Sequence, residues 1–159
     1  MPVSKRRWRQ PEGARKLNPM QTLQFAIDKS AAAVYEGIAL LKIEEWYRSQ
    51  GLKVHARYNE ENGLEGKRQF DLVDSYGKRW EVKADRIWGH TGNIFFEHIA
   101  VQHSQADYFL ILAGFAYILP RETVLQLITG QYRVVPGGDD GRDGTLVPIA
   151  ELSNLAFVI

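Results

Sequence analysis

The stretch from Phe70 to Lys83, with the sequence FDLVDSYGKRWEVK, places the strongest constraint on how this chain folds. It predicts a β-hairpin with one strand at residues 71–74 and the next at residues 79–84. A three-residue loop that ends in glycine is a common hairpin closure, because glycine readily adopts a positive φ, and Gly77 provides that residue. The loop length therefore also predicts the register of the two strands.

This register predicts that three chemically active side chains share one face of the hairpin. Asp71 lies opposite Glu81, and directly opposed residues point to the same side of a sheet. Because side chains alternate along a strand, Lys83 joins them and Trp80 points the other way. Carboxylate oxygens are ligands that Mg²⁺ prefers, and a lysine beside them can orient water or stabilise charge on a phosphate. The alternative is an ordinary amphipathic hairpin with a solvated acidic and basic face.

Asp71 and the triplet Glu81-Val82-Lys83 resemble the motif of the PD-(D/E)XK nuclease superfamily. The resemblance covers roughly residues 31–120. Phe70 stands where the superfamily often has a proline. The resemblance implies an α/β fold of the restriction-endonuclease-like type, a mixed β-sheet flanked by helices.

The same resemblance implies a Mg²⁺-dependent endodeoxyribonuclease, in which Mn²⁺ is able to substitute. Such an enzyme hydrolyses DNA phosphodiester bonds by attack of a metal-activated water. The implied metal ligands are Asp71, Glu81 and the Val82 carbonyl, with Lys83 as a further catalytic residue. Resolvase-like and homing or restriction-type endonucleases both match the motif.

The superfamily frequently adds a glutamate from its first helix to the site, and Glu36 is the first candidate. Glu36, Leu40, Ile43 and Tyr47 form one continuous stripe at helical spacing, which predicts that Glu36 heads an apolar face turned toward the sheet. A carboxylate there is costly unless it is paired or bound to metal. An ion pair with Lys83 or an arginine is the alternative role.

Two other glutamates remain open as members of the site. Glu45 shares a helix face with Ile38 and Leu41, and is the second candidate from the helix. Glu97 follows in a predicted strand at residues 93–98, where it either joins the acidic cleft or is an edge-strand charge. The side chain of Asp74 is expected to point to the face of the strand opposite to that of Asp71, away from the metal ligands. Asp74 is therefore predicted to cap the turn.

Basic residues at the N-terminus predict contacts with a nucleic acid. Residues 1–20 carry six lysines and arginines against one glutamate, within a chain whose net charge is +1. Such an arm can follow a phosphate backbone, although a disordered solubilising tail is the alternative. A glycine-containing loop at residues 85–92 can also grip phosphates. The predicted nucleic-acid-binding residues are Lys5, Arg6, Arg7, Arg9, Arg86, His90, Thr91 and Asn93.

Hydrophobic periodicity and turn residues divide the chain into a basic arm at residues 1–17, expected to be flexible, and a single nuclease-like domain at residues 18–159. Within the domain, a helical pattern runs from residue 18 to 50 with a break expected at residues 28–30. The other predicted segments are strands at 52–58, 93–98, 108–113 and 116–119, helices at 120–130 and 148–155, and a flexible turn at 137–144.

The composition limits the compartment and the partners. The 159 residues include no cysteine and no apolar run long enough to span a membrane, and the basic N-terminus lacks the apolar segment of a secretory signal. We therefore expect a cytoplasmic protein, in a bacterial or phage-infected cell, that is not secreted. A small domain without a separate recognition module suggests a homodimer or higher homo-oligomer on double-stranded or branched DNA.

Two other functional classes fit the same residues. One is a catalytically silent DNA-binding module of the same fold, although all three motif residues are present. The other is a metal-dependent hydrolase that acts on small phosphoesters rather than on polymers.

Overall fold

The long helix predicted at the start of the domain is present as α1 (Pro19–Ser49). The computed structural model describes residues 19–61, 70–84, 91–136 and 143–158, with side chains from residue 33 onward. The break expected at residues 28–30 was wrong, since α1 is continuous. Three alanines at residues 31–33, the strongest helix formers, favour continuation over a new start at Ser30.

The predicted stop of α1 at Gly51 is confirmed. Gly51 adopts a φ of 77°, a conformation that glycine tolerates best. Its N–H donates to the Arg48 carbonyl at 3.0 Å, and the Leu52 N–H donates to the Tyr47 carbonyl at 3.0 Å. These two bonds form a Schellman motif, which satisfies carbonyls that the end of the helix leaves without partners.

A six-stranded mixed sheet forms the centre of the fold, and its strands in order are β1 (Ala56–Tyr58), β2 (Leu72–Asp74), β3 (Arg79–Ala84), β5 (Tyr108–Ala113), β6 (Phe115–Pro120) and β9 (Phe157–Val158). Only β3 and β5 pair in parallel among its neighbours. The strands predicted at residues 108–113 and 116–119 are confirmed, the one predicted at 52–58 is shorter, and β9 was not predicted.

The predicted hairpin is confirmed, and so is its register within the two strands, where Leu72 pairs with Trp80 and Val73 with Arg79. The Asp71 N–H donates to the Trp80 carbonyl at 2.8 Å, one position out of that register. Asp71 and Leu72 thus both face Trp80, as in a β-bulge, and the backbone of Asp71 does not pair directly with Glu81. Gly77 closes the loop with a φ of 80°.

The strand predicted at residues 93–98 lies in a second sheet, so its assignment to the single mixed sheet was wrong. Both neighbours of β3 in the main sheet are already taken by β2 and β5. The strand instead pairs antiparallel over five residues with β8, which requires close approach at Gly144. A Cβ there would meet the Phe95 ring and lie 2.7 Å from the Phe96 carbonyl oxygen. The second sheet contains β4 (Asn93–Glu97), β8 (Gly144–Pro148) and β7 (Val134–Val135).

Three shorter helices complete the described part: α2 (His98–His103), α3 (Arg121–Thr129) and α4 (Ile149–Leu155). The helices predicted at residues 120–130 and 148–155 are thereby confirmed. Residues 137–142 of the predicted turn lie outside the described part of the chain. None of the helices described is long and apolar enough to cross a lipid bilayer.

The two faces of the main sheet pack into separate apolar clusters. The first lies under α1 and includes Trp80, Leu110 and Ile118, which are fully buried. The second lies on the opposite face, where Phe109 and Ile111 pack with residues of the second sheet and of α3 and α4. A mixed sheet with helices on its faces confirms the α/β class. Because Glu81 and Lys83 pair with Phe109 and Ile111 of the second cluster, their side chains lie on the face away from α1.

Candidate active site

The site is built on the open end of the β2–β3 hairpin, where the side chains of Asp71 and Glu81 meet. One oxygen of each carboxyl group is held by a neutral donor. Asp71 Oδ2 accepts a hydrogen bond from the Val82 N–H at 2.8 Å, and Glu81 Oε2 accepts one from Ser104 Oγ at 3.1 Å. The two carboxyl groups also hydrogen-bond each other. Two acidic groups therefore share one small patch, as the register predicted.

The electrostatics of this pair disfavour two negative charges. Burial raises the pKa of the Glu81 carboxyl from its usual 4.5 to about 8, and the negative charge of Asp71 adds to that rise. The hydrogen bond from Ser104 acts in the opposite direction, and the charge of Glu36 raises the pKa of Glu81 further. Near neutral pH the pair therefore retains a proton, which a bound cation would displace.

A cavity of about 170 Å³ opens beside Glu81, and it joins residues from both sheets. Its polar lining comes from Glu81, Lys83 and Glu97, so the glutamate of the second sheet does reach the site. The remaining lining is the backbone or apolar side chains of Val82, Phe96, Ala100, Val101 and Phe109. A cavity with an apolar floor and a few converging charged groups is typical of a small-ligand or active site.

The apolar stripe of α1 packs as predicted. Ile43 and Tyr47 are buried in the cluster beneath the helix, and Leu40 packs against it. Glu36, at the head of this stripe, is half-buried, and its charge acts on Glu81 across the edge of the sheet. Glu36 is therefore near the carboxylate pair.

Glu45, the second candidate from α1, does not join the site. Its side chain is 51% exposed and forms an ion pair with Lys42 at 3.3 Å. Ile38 and Leu41, which share its helix face, are 39% and 67% exposed. This face of α1 points away from the sheet.

The donor set suits Mg²⁺, which prefers carboxylate and carbonyl oxygens. Along a strand, carbonyls two residues apart point to the same side. The Trp80 carbonyl points toward Asp71 on the neighbouring strand. The Val82 carbonyl, two residues later in β3, points to the same side, at a position past the last paired residue of β2. The carboxyl groups of Asp71 and Glu81 and the carbonyl of Val82 thus lie together at the open end of the hairpin. Within residues 19–61, 70–84, 91–136 and 143–158, no group of three or more His, Cys, Asp or Glu side chains is arranged to hold an ion.

Ser104 is the site residue that the sequence did not indicate. It is 3% exposed and lies between α2 and β5, 23 residues from the glutamate that it contacts. No periodicity or spacing marks a serine in such a connection. Only the parallel pairing of β3 with β5, which brings the start of β5 beside Glu81, explains its position.

The predicted nucleic-acid-binding residues are only partly described. Thr91 and Asn93 hydrogen-bond each other, and Asn93 begins β4, whereas Glu97 at the far end of that strand lines the cavity. The basic arm and two loop residues lie outside the described part of the chain, and these are Lys5, Arg6, Arg7, Arg9, Arg86 and His90.

Comparison with known proteins supplies no relative. No protein-family model, curated protein or solved structure matches the chain. The function must therefore be argued from the site itself.

Proposed function

We propose that this protein is a Mg²⁺-dependent endodeoxyribonuclease that hydrolyses phosphodiester bonds of double-stranded or branched DNA. The observation that carries the proposal is the carboxyl pair of Asp71 and Glu81 with Lys83 on the same strand face, beside a cavity. This combination of a cation-binding pair and a lysine is suited to hydrolysis of a phosphate ester. The resemblance to PD-(D/E)XK nucleases supports resolvase-like or homing and restriction-type enzymes equally.

Asp71, Glu81 and the Val82 carbonyl would hold the metal ion, and Mn²⁺ would fit the same oxygen ligands. Bound there, the ion would supply Lewis-acid stabilisation of the charge that develops on a phosphodiester. Glu81 would release its proton when the ion binds, because a ligating carboxylate must be ionised. The Val82 N–H keeps Asp71 Oδ2 engaged and so fixes the orientation of that carboxylate.

Lys83 has two roles that its position supports. Lys83 lines the same cavity as Glu81, where its ammonium group would donate hydrogen bonds to an attacking water or to a phosphate oxygen. Glu36 adds negative charge at the edge of the site, and so favours cation binding. The apolar floor of the cavity limits access of bulk water to the reacting groups.

The proposed substrate also accounts for other features of the chain. A homodimer or higher homo-oligomer would present two such sites to the two strands of a duplex or junction. The basic arm with Lys5, Arg6, Arg7 and Arg9 would follow the phosphate backbone. Arg86, His90, Thr91 and Asn93 would add contacts from the loop before β4. DNA as the substrate assigns the protein to the cytoplasm.

A nicking assay on supercoiled plasmid tests the proposal. Wild-type protein is compared with Lys83→Ala in Mg²⁺, in Mn²⁺ and in EDTA. We expect metal-dependent nicking that falls at least about hundredfold in Lys83→Ala, the scale seen when one charge-stabilising group is removed. Lys42→Ala is the matched control, because Lys42 is a half-buried lysine paired with Glu45 on the outer face of α1. Nicking that persists in Lys83→Ala would overturn the assignment.

A catalytically silent DNA-binding module is the second candidate. The absence of three grouped metal-ligating side chains in the described residues favours it. Asp71→Ala separates the two functions. For a nuclease, plasmid cleavage is lost while binding to a labelled duplex or four-way junction is retained. For a binding module, neither wild type nor variant cleaves, and both bind.

A further inference from the structure

Ser104 is held from several sides in a way that directs its hydroxyl group toward the candidate site. Its backbone N–H bonds to the carbonyls of Ala100 and Val101, and so ends α2. Its carbonyl accepts a hydrogen bond from Arg121 Nε at 3.1 Å, and this bond ties the connection to the start of α3. The residue is 3% exposed. A side chain fixed in this way has little freedom to point elsewhere.

The direction of the hydrogen bond to Glu81 follows from the partners of the hydroxyl group. Ser104 Oγ accepts a hydrogen bond from the Ala106 N–H at 3.2 Å. A hydroxyl group has a single proton, and its oxygen can accept one bond while it donates that proton to another group. The proton of Ser104 is therefore available to Glu81 Oε2, which lies 3.1 Å away.

We infer that Ser104 is a positioning residue, which holds Glu81 Oε2 and thereby turns the rest of that carboxyl group toward Asp71 and a shared cation. The inference rests on the proposed function. It assigns to Ser104 the same role on Glu81 that the Val82 N–H has on Asp71. Groups that orient metal ligands typically change metal affinity by about ten- to a hundredfold when they are removed.

The test measures binding of Mn²⁺ alone by isothermal titration calorimetry, at one fixed pH, to the full chain. We expect Ser104→Ala to weaken the Kd for Mn²⁺ about tenfold or more. Ser104→Cys keeps nearly the same volume but is a poor donor, so we expect a similar loss. Ser153→Ala is the matched control, because Ser153 bonds only within α4 at an exposed position, and its Kd should be unchanged.

The outcomes separate positioning from structural support. Damage to packing alone would lower the thermal midpoint and leave the Kd of the folded protein unchanged, which would overturn the inference. If Ser104→Ala does not fold, Ser104→Cys decides the question by the same criterion. Wild-type protein that is folded and binds no Mn²⁺ would overturn the metal site and the inference together. Wild-type binding that both variants retain would overturn the inference alone.

Discussion

The two ends of the β2–β3 hairpin both carry acidic side chains, buried at the closed end and half-buried at the open end, and they differ in whether a second carboxyl group lies alongside. At the closed end, Asp74 is 5% exposed and accepts four hydrogen bonds. The N–H groups of Tyr76 and Lys78 donate to Oδ1 at 2.9 and 3.0 Å. The Tyr47 hydroxyl and Trp80 Nε1 donate to Oδ2 at 2.8 and 2.9 Å. This carboxylate caps the turn, as predicted, and also anchors α1.

At the open end, Asp71 and Glu81 have each other as neighbours, and two neutral donors from Val82 and Ser104. Burial and mutual repulsion raise the pKa of Glu81 to about 8. The four donors around Asp74 tie the turn to α1 and stabilise the fold. Two carboxyl groups side by side instead favour a shared proton or a bound cation, and such an arrangement is characteristic of functional sites.

The largest effect that follows from this comparison is on stability. We expect Asp74→Ala to lower the free energy of unfolding by about 4 kcal/mol. The substitution leaves the buried donors of Tyr47 and Trp80 without an acceptor and removes the hydrogen bonds that hold the turn. Urea denaturation in EDTA measures the change.

Asp71→Ala provides the contrast on the same strand. In metal-free buffer we expect its unfolding free energy to change by less than about 1 kcal/mol, since relief of repulsion with Glu81 offsets the lost bond to Val82. If both alanine variants lose the same stability, the distinction between the two ends of the hairpin is wrong.

The second prediction concerns pH. An exposed glutamate titrates near pH 4.5, whereas Glu81 in the folded protein keeps its proton to about pH 8. Between these values unfolding releases the proton, so the stabilising contribution is fully present below about pH 4.5 and is lost as the pH rises toward 8. The slope is at most about 1.4 kcal/mol per pH unit.

Urea midpoints at pH 5.5, 7 and 8.5 in EDTA measure this slope for the wild type and for Glu81→Gln. The variant does not titrate at this position, so its stability should fall less with rising pH. Adding Mg²⁺ should offset the loss in the wild type at high pH. Parallel curves for the two proteins would contradict the raised pKa.

The hairpin and the buried face of α1 can be predicted from the sequence alone. The hairpin and its register follow from the position of Gly77, which lies within a few residues of the strands that it joins. The stripe from Glu36 to Tyr47 follows from helical spacing, and it separates the buried face of α1 from the exposed face of Glu45. Both inferences use only neighbours along the chain.

The contacts of Ser104 and Tyr47 and the second sheet could not be predicted, because they join segments that are distant in the sequence. Ser104 meets Glu81 across 23 residues, and Tyr47 meets Asp74 across 27. The second sheet requires β4 to pair with β8, some 50 residues later, and β7 has only two residues. Periodicity cannot reveal such pairings, because it records which face is apolar and not what covers it.

A third prediction compares the two glutamates of α1. Glu36→Gln should weaken Mn²⁺ binding about tenfold, equivalent to about 1.4 kcal/mol, because it removes a negative charge that acts on Glu81. Glu45→Gln, on the outer face, should leave the affinity unchanged. Equal effects would mean that long-range charge alone accounts for the role of Glu36.

The smallest predicted effect isolates one donor at the closed end. Tyr47→Phe removes the hydroxyl that bonds to Asp74 and keeps the ring that packs against Trp46. We expect a loss of about 1 kcal/mol in the free energy of unfolding, the usual net value of one hydrogen bond. Tyr76→Phe, at a side chain that is 54% exposed, is the control and should change stability by less than about 0.5 kcal/mol.

The same substitution in an Asp74→Ala background tests whether the donors act as a set. Once Asp74 is gone, the Tyr47 hydroxyl is a buried group without its acceptor, so its removal should be neutral or stabilising. The two substitutions should therefore be non-additive by about 1 kcal/mol or more. Strict additivity would mean that Tyr47 stabilises α1 through packing alone, and that the closed end does not depend on a satisfied carboxylate.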